Sequence, residues 1–268
     1  MSDKTAGQTA GDLLKSGKLS DALTAAQNAV RKAPTDLNAR ILLAEILVFT
    51  GNLERADVLL DAASTIDPST AMVVAEFRQL IRADMARRQL FRDGRVPELL
   101  TDPTEVQRLQ LAALVALRAN DAEEATKNAA AAEAVRPRAP GFHNDKPFDD
   151  LRDADDLLAG NFEVLTTTGK YFWIPVERVL TAEFHAPKRP RDLIWRRVSM
   201  SVADGPDGDV YMPVIYAGDP TSDLLKLGRE TDWTDPDKGP VRGIGQRVLL
   251  CGEDDIAVMD LGTLRFGT

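Results

Sequence analysis

Five carboxylates fall within eight residues, at Asp149, Asp150, Asp153, Asp155 and Asp156, and such a cluster invites two kinds of chemistry. Carboxylate oxygens ligate hard divalent cations, and a close pair can serve as general acid and base. A calcium loop, however, needs alternating oxygen ligands, a central glycine and a terminal glutamate. This segment lacks the glycine. Leu151, Ala154 and Leu157 recur at helical spacing instead, so residues 149–158 are expected to form a short helix capped by Asp149 or Asp150. The DGPDGD string at 204–209 is nearer in composition but has no terminal carboxylate, and reads as a hairpin tip. No metal is expected at either place.

The remaining reactive groups are sparse. Gly243 and Gly245 form a lone GxG without the rest of a dinucleotide fingerprint, and no GxxxxGK[ST] phosphate loop is present. His143 and His185 are the only histidines, and neither sits in a nucleophile or metal motif. Cys251 is the single cysteine, which rules out a disulfide within the chain and a cysteine-rich zinc site; in LLCG it reads as a buried strand thiol. No cofactor, small-molecule substrate or catalytic residue is assigned. An enzyme reading would place its site around Asp149–Asp156, and a convergent pocket with a strongly shifted carboxylate would mark it.

The elements that must position these residues begin with a repeat. Gly17, Leu19, Ala22, Ala26, Ala29 and Pro34 recur 34 residues later as Gly51, Leu53, Ala56, Leu60, Ala63 and Pro68. That is the period of the tetratricopeptide repeat. Glycine supplies the positive φ of the turn between antiparallel helices, alanine lets the helices approach, and proline ends the second helix. Asn120, Ala122, Ala125, Ala129, Ala132 and Pro137 form a third copy, with asparagine in the turn. Residues 70–100 keep helical periodicity without the small residues, as a degenerate repeat with a long first helix. On this register Asn38, Ile41, Glu45, Val48 and Phe49 face the concave side in the second copy. Gln107, Gln110, Leu114, Leu117 and Arg118 do so in the third. Such a wall is largely apolar. It either receives the apolar face of a partner helix or is covered by another part of the chain. The candidate partner-binding residues are therefore Ile41, Glu45, Val48, Phe49, Leu114, Leu117 and Arg118.

Beyond three prolines in RPRAPGFHNDKP, alanine thins out and β-branched and aromatic residues gather into short runs. Residues 162–167 and 171–175 read as a hairpin, and 179–184, 194–202, 210–215, 247–250 and 256–259 as further strands. Trp173, Trp195 and Trp233 read as core aromatics. The expected fold is α+β and multidomain: a tetratricopeptide-like all-α solenoid over 1–136, a proline-rich linker over 137–147, and a small β-rich domain over 148–268. That domain is either barrel-like or a bent sheet.

Net charge is −9, with 18 basic against 19 acidic residues over 1–140 and 15 against 23 over 141–268. An acidic surface repels phosphate backbones, which argues against nucleic acid as a partner. The basic island of Lys188, Arg189, Arg191, Arg196 and Arg197 reads as a solvated strand edge, with an acidic protein partner as the rival reading. No run is long and apolar enough to cross a membrane, and MSDKTAGQTA lacks a signal-peptide core, so a soluble cytoplasmic protein is expected.

Several strings of the second half resemble the ImpE/TagJ family, accessory proteins of bacterial type VI secretion. They are FDDLRDADDLLA at 148–159, GKYFWIPVERVL at 169–180, RPRDLIWRR at 189–197, DVYMPVIYAGD at 209–219, LGRETDWTDP at 227–236 and GPVRGIGQRVLLC at 239–251. The resemblance implies a non-enzymatic cytoplasmic adaptor. Its implied partner is the small sheath subunit TssB, bound through a helix near that subunit's N-terminus, with an influence on sheath recycling by the ClpV unfoldase. It carries over no catalytic residue. A general assembly chaperone is the other non-enzymatic reading, separable by whether binding is selective for one partner.

Overall fold

The computed structural model describes residues 8–66 and 68–267. Residues 1–7, read above as lacking a leader core, lie outside the described residues. The chain opens with three helical hairpins and one long helix: α1 (Ala10–Lys15) with α2 (Leu19–Lys32), α3 (Leu37–Phe49) with α4 (Leu53–Ile66), α5 (Ala71–Asp93), and α6 (Glu105–Arg118) with α7 (Ala122–Val135). The turns fall where the repeat puts them. Gly17 and Gly51 both take φ 81° and Asn120 takes φ 59°, the left-handed region the turn requires. Thr9 and Thr104 close capping boxes with Asp12 and Gln107, and Asp36 caps α3. The degenerate copy is the 23-residue α5, ended by left-handed Gly94. An extended segment follows instead of a second helix, and Glu98 in it bridges Phe172.

The second half is built from short strands: β1 (Gly141–His143), β2 (Lys146–Phe148), β3 (Leu151–Asp153), β4 (Asn161–Leu165), β5 (Tyr171–Pro175), β6 (Val179–Phe184), β7 (Trp195–Val202) and β8 (Gly208–Pro213). After the single turn α8 (Asp223–Lys226) come β9 (Thr231–Trp233), β10 (Gly243–Gly245), β11 (Val248–Cys251), β12 (Asp254–Ala257) and β13 (Thr263–Phe266). Eight strands form one bent, open sheet in the order β2-β1-β13-β6-β7-β8-β4-β5. It is flanked by a two-stranded β10-β9 ribbon and a three-stranded β12-β11-β3 sheet. The sheet does not close into a barrel.

Alternation along the strands sorts the two faces. On β4 and β5, Leu165, Tyr171 and Trp173 join the core of the helices, while Phe162, Val164 and Ile174 join a second core within the β-rich half. The first core therefore runs through both halves without a break, uniting Phe49, Phe77 and Leu114 with Trp173, Trp195 and Tyr216.

Three expectations are corrected here. Residues 149–158 are β3 and turns, not a helix: Asp153 Oδ1 accepts Asp155 N–H at 2.8 Å and Asp155 Oδ1 accepts Leu157 N–H at 2.9 Å. Aspartates that satisfy the backbone two residues on compete directly with helix formation. The 137–147 segment is extended, as its prolines demand, but it is not a spacer. It supplies β1, which pairs with β13, and much of β2, the terminal strand, where Pro147 is tolerated. Trp233 is 38% exposed, because its two-stranded ribbon has little to cover it, whereas Trp173 and Trp195 are buried as expected.

Candidate functional site

The concave wall of the helices is occupied by the chain's own β-rich half. Glu45, Val48, Phe49 and Leu114 are all buried, and Ile41 and Leu117 are half-buried against the same core. Arg118 lies elsewhere, donating from Nη1 to the Leu90 carbonyl at 3.0 Å near the end of α5. On the α3 side the filler is the 189–195 segment, and Leu117 on α6 lies beside Gly239. Arg191 Nη1 donates to Glu45 Oε1 at 3.1 Å with both side chains buried, and the Arg191 guanidinium lies 4.8 Å from the centre of the Phe77 ring. Trp195 meets Phe77 edge-on at 6.0 Å. Burial pushes the Glu45 carboxyl up, against the pull of Arg191. The basic island is thus not a solvated edge throughout. Arg191 is buried, and Arg196 is too, donating to the carbonyls of His185 at 3.0 Å and Val258 at 2.6 Å.

Beneath this contact a charged network ties the halves. Arg87 on α5 grips Glu163 on β4 with two parallel bonds of 2.8 Å and donates to the Ile215 carbonyl at 3.0 Å. Arg247 donates to Glu163 Oε2 at 3.0 Å and to Asp153. Tyr171 O–H donates to Glu163 Oε1 at 2.6 Å and receives Trp173 Nε1–H at 2.6 Å, while Tyr216 O–H donates to Asp153 at 2.8 Å. Burial alone would raise Glu163, yet the Arg87 and Arg247 guanidiniums hold it down to about 2. On the neighbouring turn of α6, Gln107 donates to Asn161 Oδ1 at 2.8 Å and Asn161 donates to Gln110 at 2.5 Å. The polar positions of the predicted wall on α6, Gln107 and Gln110, are therefore buried as well, whereas Asn38 on α3 is exposed.

The chemistry open to this arrangement is limited. Glu163 is locked in its ionised form by two guanidiniums and serves as a structural anion. Burial pushes Asp155 up to about 7 against the pull of Arg242, but its oxygens accept the N–H groups of Leu157 and Gly243 inside the protein. Three other members of the aspartate cluster are likewise spent on ties, Asp150 to Arg136 and the Ala139 N–H, Asp153 to Arg247, and Asp156 to Arg152 and the Val241 N–H, while Asp149 makes an exposed surface pair with Arg138. A cavity of about 240 Å³ opens between the halves beside Asp84, Arg87, Arg88, Trp195 and Tyr216, and none of the clustered aspartates lines it. His185, Ser199 and Asp209 do come together, with Ser199 Oγ 2.8 Å from His185 Nε2 and 2.6 Å from Asp209 Oδ1. The hydroxyl sits between the other two. An activated serine needs the imidazole in that position. Among the described residues no group of histidine, cysteine and carboxylate side chains could hold a metal ion, and no helix is long and apolar enough to cross a membrane.

Residues 145–265 match the family described as ImpE protein, and residues 13–75 match the tetratricopeptide repeat. Over 262 residues the chain is 32% identical to the type VI secretion system accessory component TagJ of Pseudomonas aeruginosa, covering 95% of this chain and 90% of that protein. The chain belongs to the ImpE/TagJ family. The X-ray crystal structure of protein VPA1032 from Vibrio parahaemolyticus has the same fold, with a TM-score of 0.91, 29% identity and 97% of each chain covered. The likeness spans the helical and β-rich halves together, as the shared core requires.

The residues that sequence reasoning missed are Arg87, Glu163, Asn161 and Arg247. Each is a polar residue at a core-phase position, and Glu163 stands alone among Phe162, Val164 and Leu165 on a strand buried throughout. A charge inside such a run signals a buried partner.

Proposed function

We propose that this ImpE/TagJ family member is a non-enzymatic cytoplasmic adaptor of a bacterial type VI secretion system. It binds the small sheath subunit TssB through a helix near that subunit's N-terminus, and thereby influences recycling of the contracted sheath by ClpV. The observation that carries the reading is the 32% identity over 95% of the chain to an accessory component of that system. The helical repeat matched at 13–75 supports it, since stacked repeats serve as binding surfaces. So does the engagement of Asp150, Asp153, Asp155 and Asp156 in structural ties, since these are carboxylates the rival enzyme reading would use. Because the chain itself covers Val48 and Leu114, the sheath helix is received at an accessible surface rather than against those two side chains. The test is affinity capture of the full chain from cells with an intact secretion cluster, followed by identification of bound proteins. Selective recovery of TssB is the expected result. Indiscriminate recovery of many unfolded clients would favour a general chaperone, and absence of TssB would sink the proposal.

A further inference from the structure

Where α1 and α3 meet the loop before β7, the mouth of the helical groove holds a second cavity, of about 290 Å³. Its floor is apolar. Leu14 and Phe49 belong to the shared core, and Leu42 and Leu193 are half-buried beside them. Every charged residue on its wall is a cation: Lys15, Lys188, Arg189 and Arg229. No carboxylate among the described residues lines it, in a chain with 42 acidic residues against 33 basic ones.

These cations come from three separate stretches of chain, and two are fixed in place. Arg229 Nη2 donates to the last carbonyls of α1, Leu14 at 3.0 Å and Lys15 at 2.9 Å, which orients the guanidinium without neutralising it. Arg189 pairs with Asp192 at 3.2 Å, and the other oxygen of Asp192 accepts the N–H groups of Lys188 and Arg189, each at 2.9 Å. Pro187 and Pro190 bracket that loop, so little order remains to be imposed on binding. Lys15 and Lys188 are exposed and make no ion pair among the described residues.

We propose that this cavity docks an acidic segment of a protein partner. A bulky apolar side chain enters the floor while flanking carboxylates meet Lys15, Lys188 and Arg229. Lys15, Lys188 and Arg229, which have no carboxylate partner among the described residues, repel one another around the apolar floor until an anionic ligand arrives. A desolvated anchor inside a charged rim is also how small interfaces concentrate their energy. The surface goes beyond the sheath-subunit reading and supplies the second contact that an adaptor requires.

The experiment is fluorescence anisotropy of the full chain with three labelled peptides of equal length. One carries leucines at helical spacing among glutamates, the second has lysine for glutamate, and the third keeps the glutamates but has serine for leucine. The expected result at about 0.15 M ionic strength is that the first binds at least about tenfold more tightly than the others. Lys15→Glu with Lys188→Glu should lower that affinity at least about tenfold with the circular dichroism spectrum unchanged. Should this double variant not fold, Lys15→Gln with Lys188→Gln must show a smaller loss in the same direction. Equal binding of the acidic and basic peptides, or an unaffected variant, overturns the proposal. Dimerisation abolished by the charge reversal would give the cavity to a second copy of the chain, and binding only to phosphatidylserine vesicles would give it to a membrane surface; either result also overturns it. A chain that captures TssB but ignores the acidic peptide sinks this inference alone, and the converse sinks only the sheath-subunit reading.

Discussion

Replacing Glu163 by glutamine tests the claim that the two halves are fastened by a buried charge. The substitution keeps the shape of the side chain but removes the anion that faces both Arg87 and Arg247. Holding the carboxyl near 2 instead of its ordinary 4.5 corresponds to about 3 kcal/mol of stability, at 1.36 kcal/mol per pH unit. Breaking one side of a buried pair costs about 3–5 kcal/mol by a separate route, so the two magnitudes agree. Because the folded value is depressed, this contribution is fully present above pH 4.5 and disappears as pH falls toward 2. Urea unfolding of wild type and Glu163→Gln at a series of pH values between 2 and 6 reads it directly. The stability gap should be about 3 kcal/mol at pH 6 and should close toward pH 2. Other acids that titrate in this window, Asp150 and Glu133 among them, are common to both proteins and cancel in the difference. A gap under about 0.5 kcal/mol at pH 6, or one that does not narrow on acidification, would refute the reasoning.

Two further outcomes are expected. Trp195→Ala should cost about 3–5 kcal/mol in denaturant unfolding, whereas Trp233→Ala, in the exposed ribbon, should cost about 1 kcal/mol or less. Burial pushes the Cys251 thiol up to about 11, so at pH 8 only about a thousandth is thiolate and an aromatic disulfide reagent should label the folded chain far more slowly than the urea-unfolded one.

The helical half was legible because its signals are local. Gly17, Gly51 and Asn120 announce turns that depend on one backbone angle each, and the alanines that follow announce close packing whatever lies outside. Strand positions such as 171–175 and 179–184 were legible for the same reason. The 149–158 segment was not. Leu151, Ala154 and Leu157 keep a helical spacing, but the aspartates between them decide the backbone, through bonds that periodicity does not register. The sequence left open whether the candidate wall is covered by the chain itself or by a partner helix, and the segment that covers its α3 side was beyond reach. Nothing local in 189–195 shows that Arg191 will meet Glu45, which lies 146 residues away. The cationic cavity mouth depends likewise on Lys15, Lys188 and Arg229 meeting only after folding.

A helical solenoid on its own behaves as a spring, since each repeat touches only its neighbours and small rotations add along the stack. Here the sheet lies along the inside of the coil like a splint. Phe77 meets Trp195 edge-on, Glu45 clasps Arg191, and α5 is bolted to β4 through Arg87. Stretching or unwinding the stack would have to tear open one uninterrupted core rather than bend a linker. A partner therefore meets helices whose curvature is already braced by a shared core. The same splint forbids dividing the molecule. Removing the β-rich half would strip the cover from Val48, Phe49, Phe77 and Leu114 together and leave the helices with a sticky inner surface.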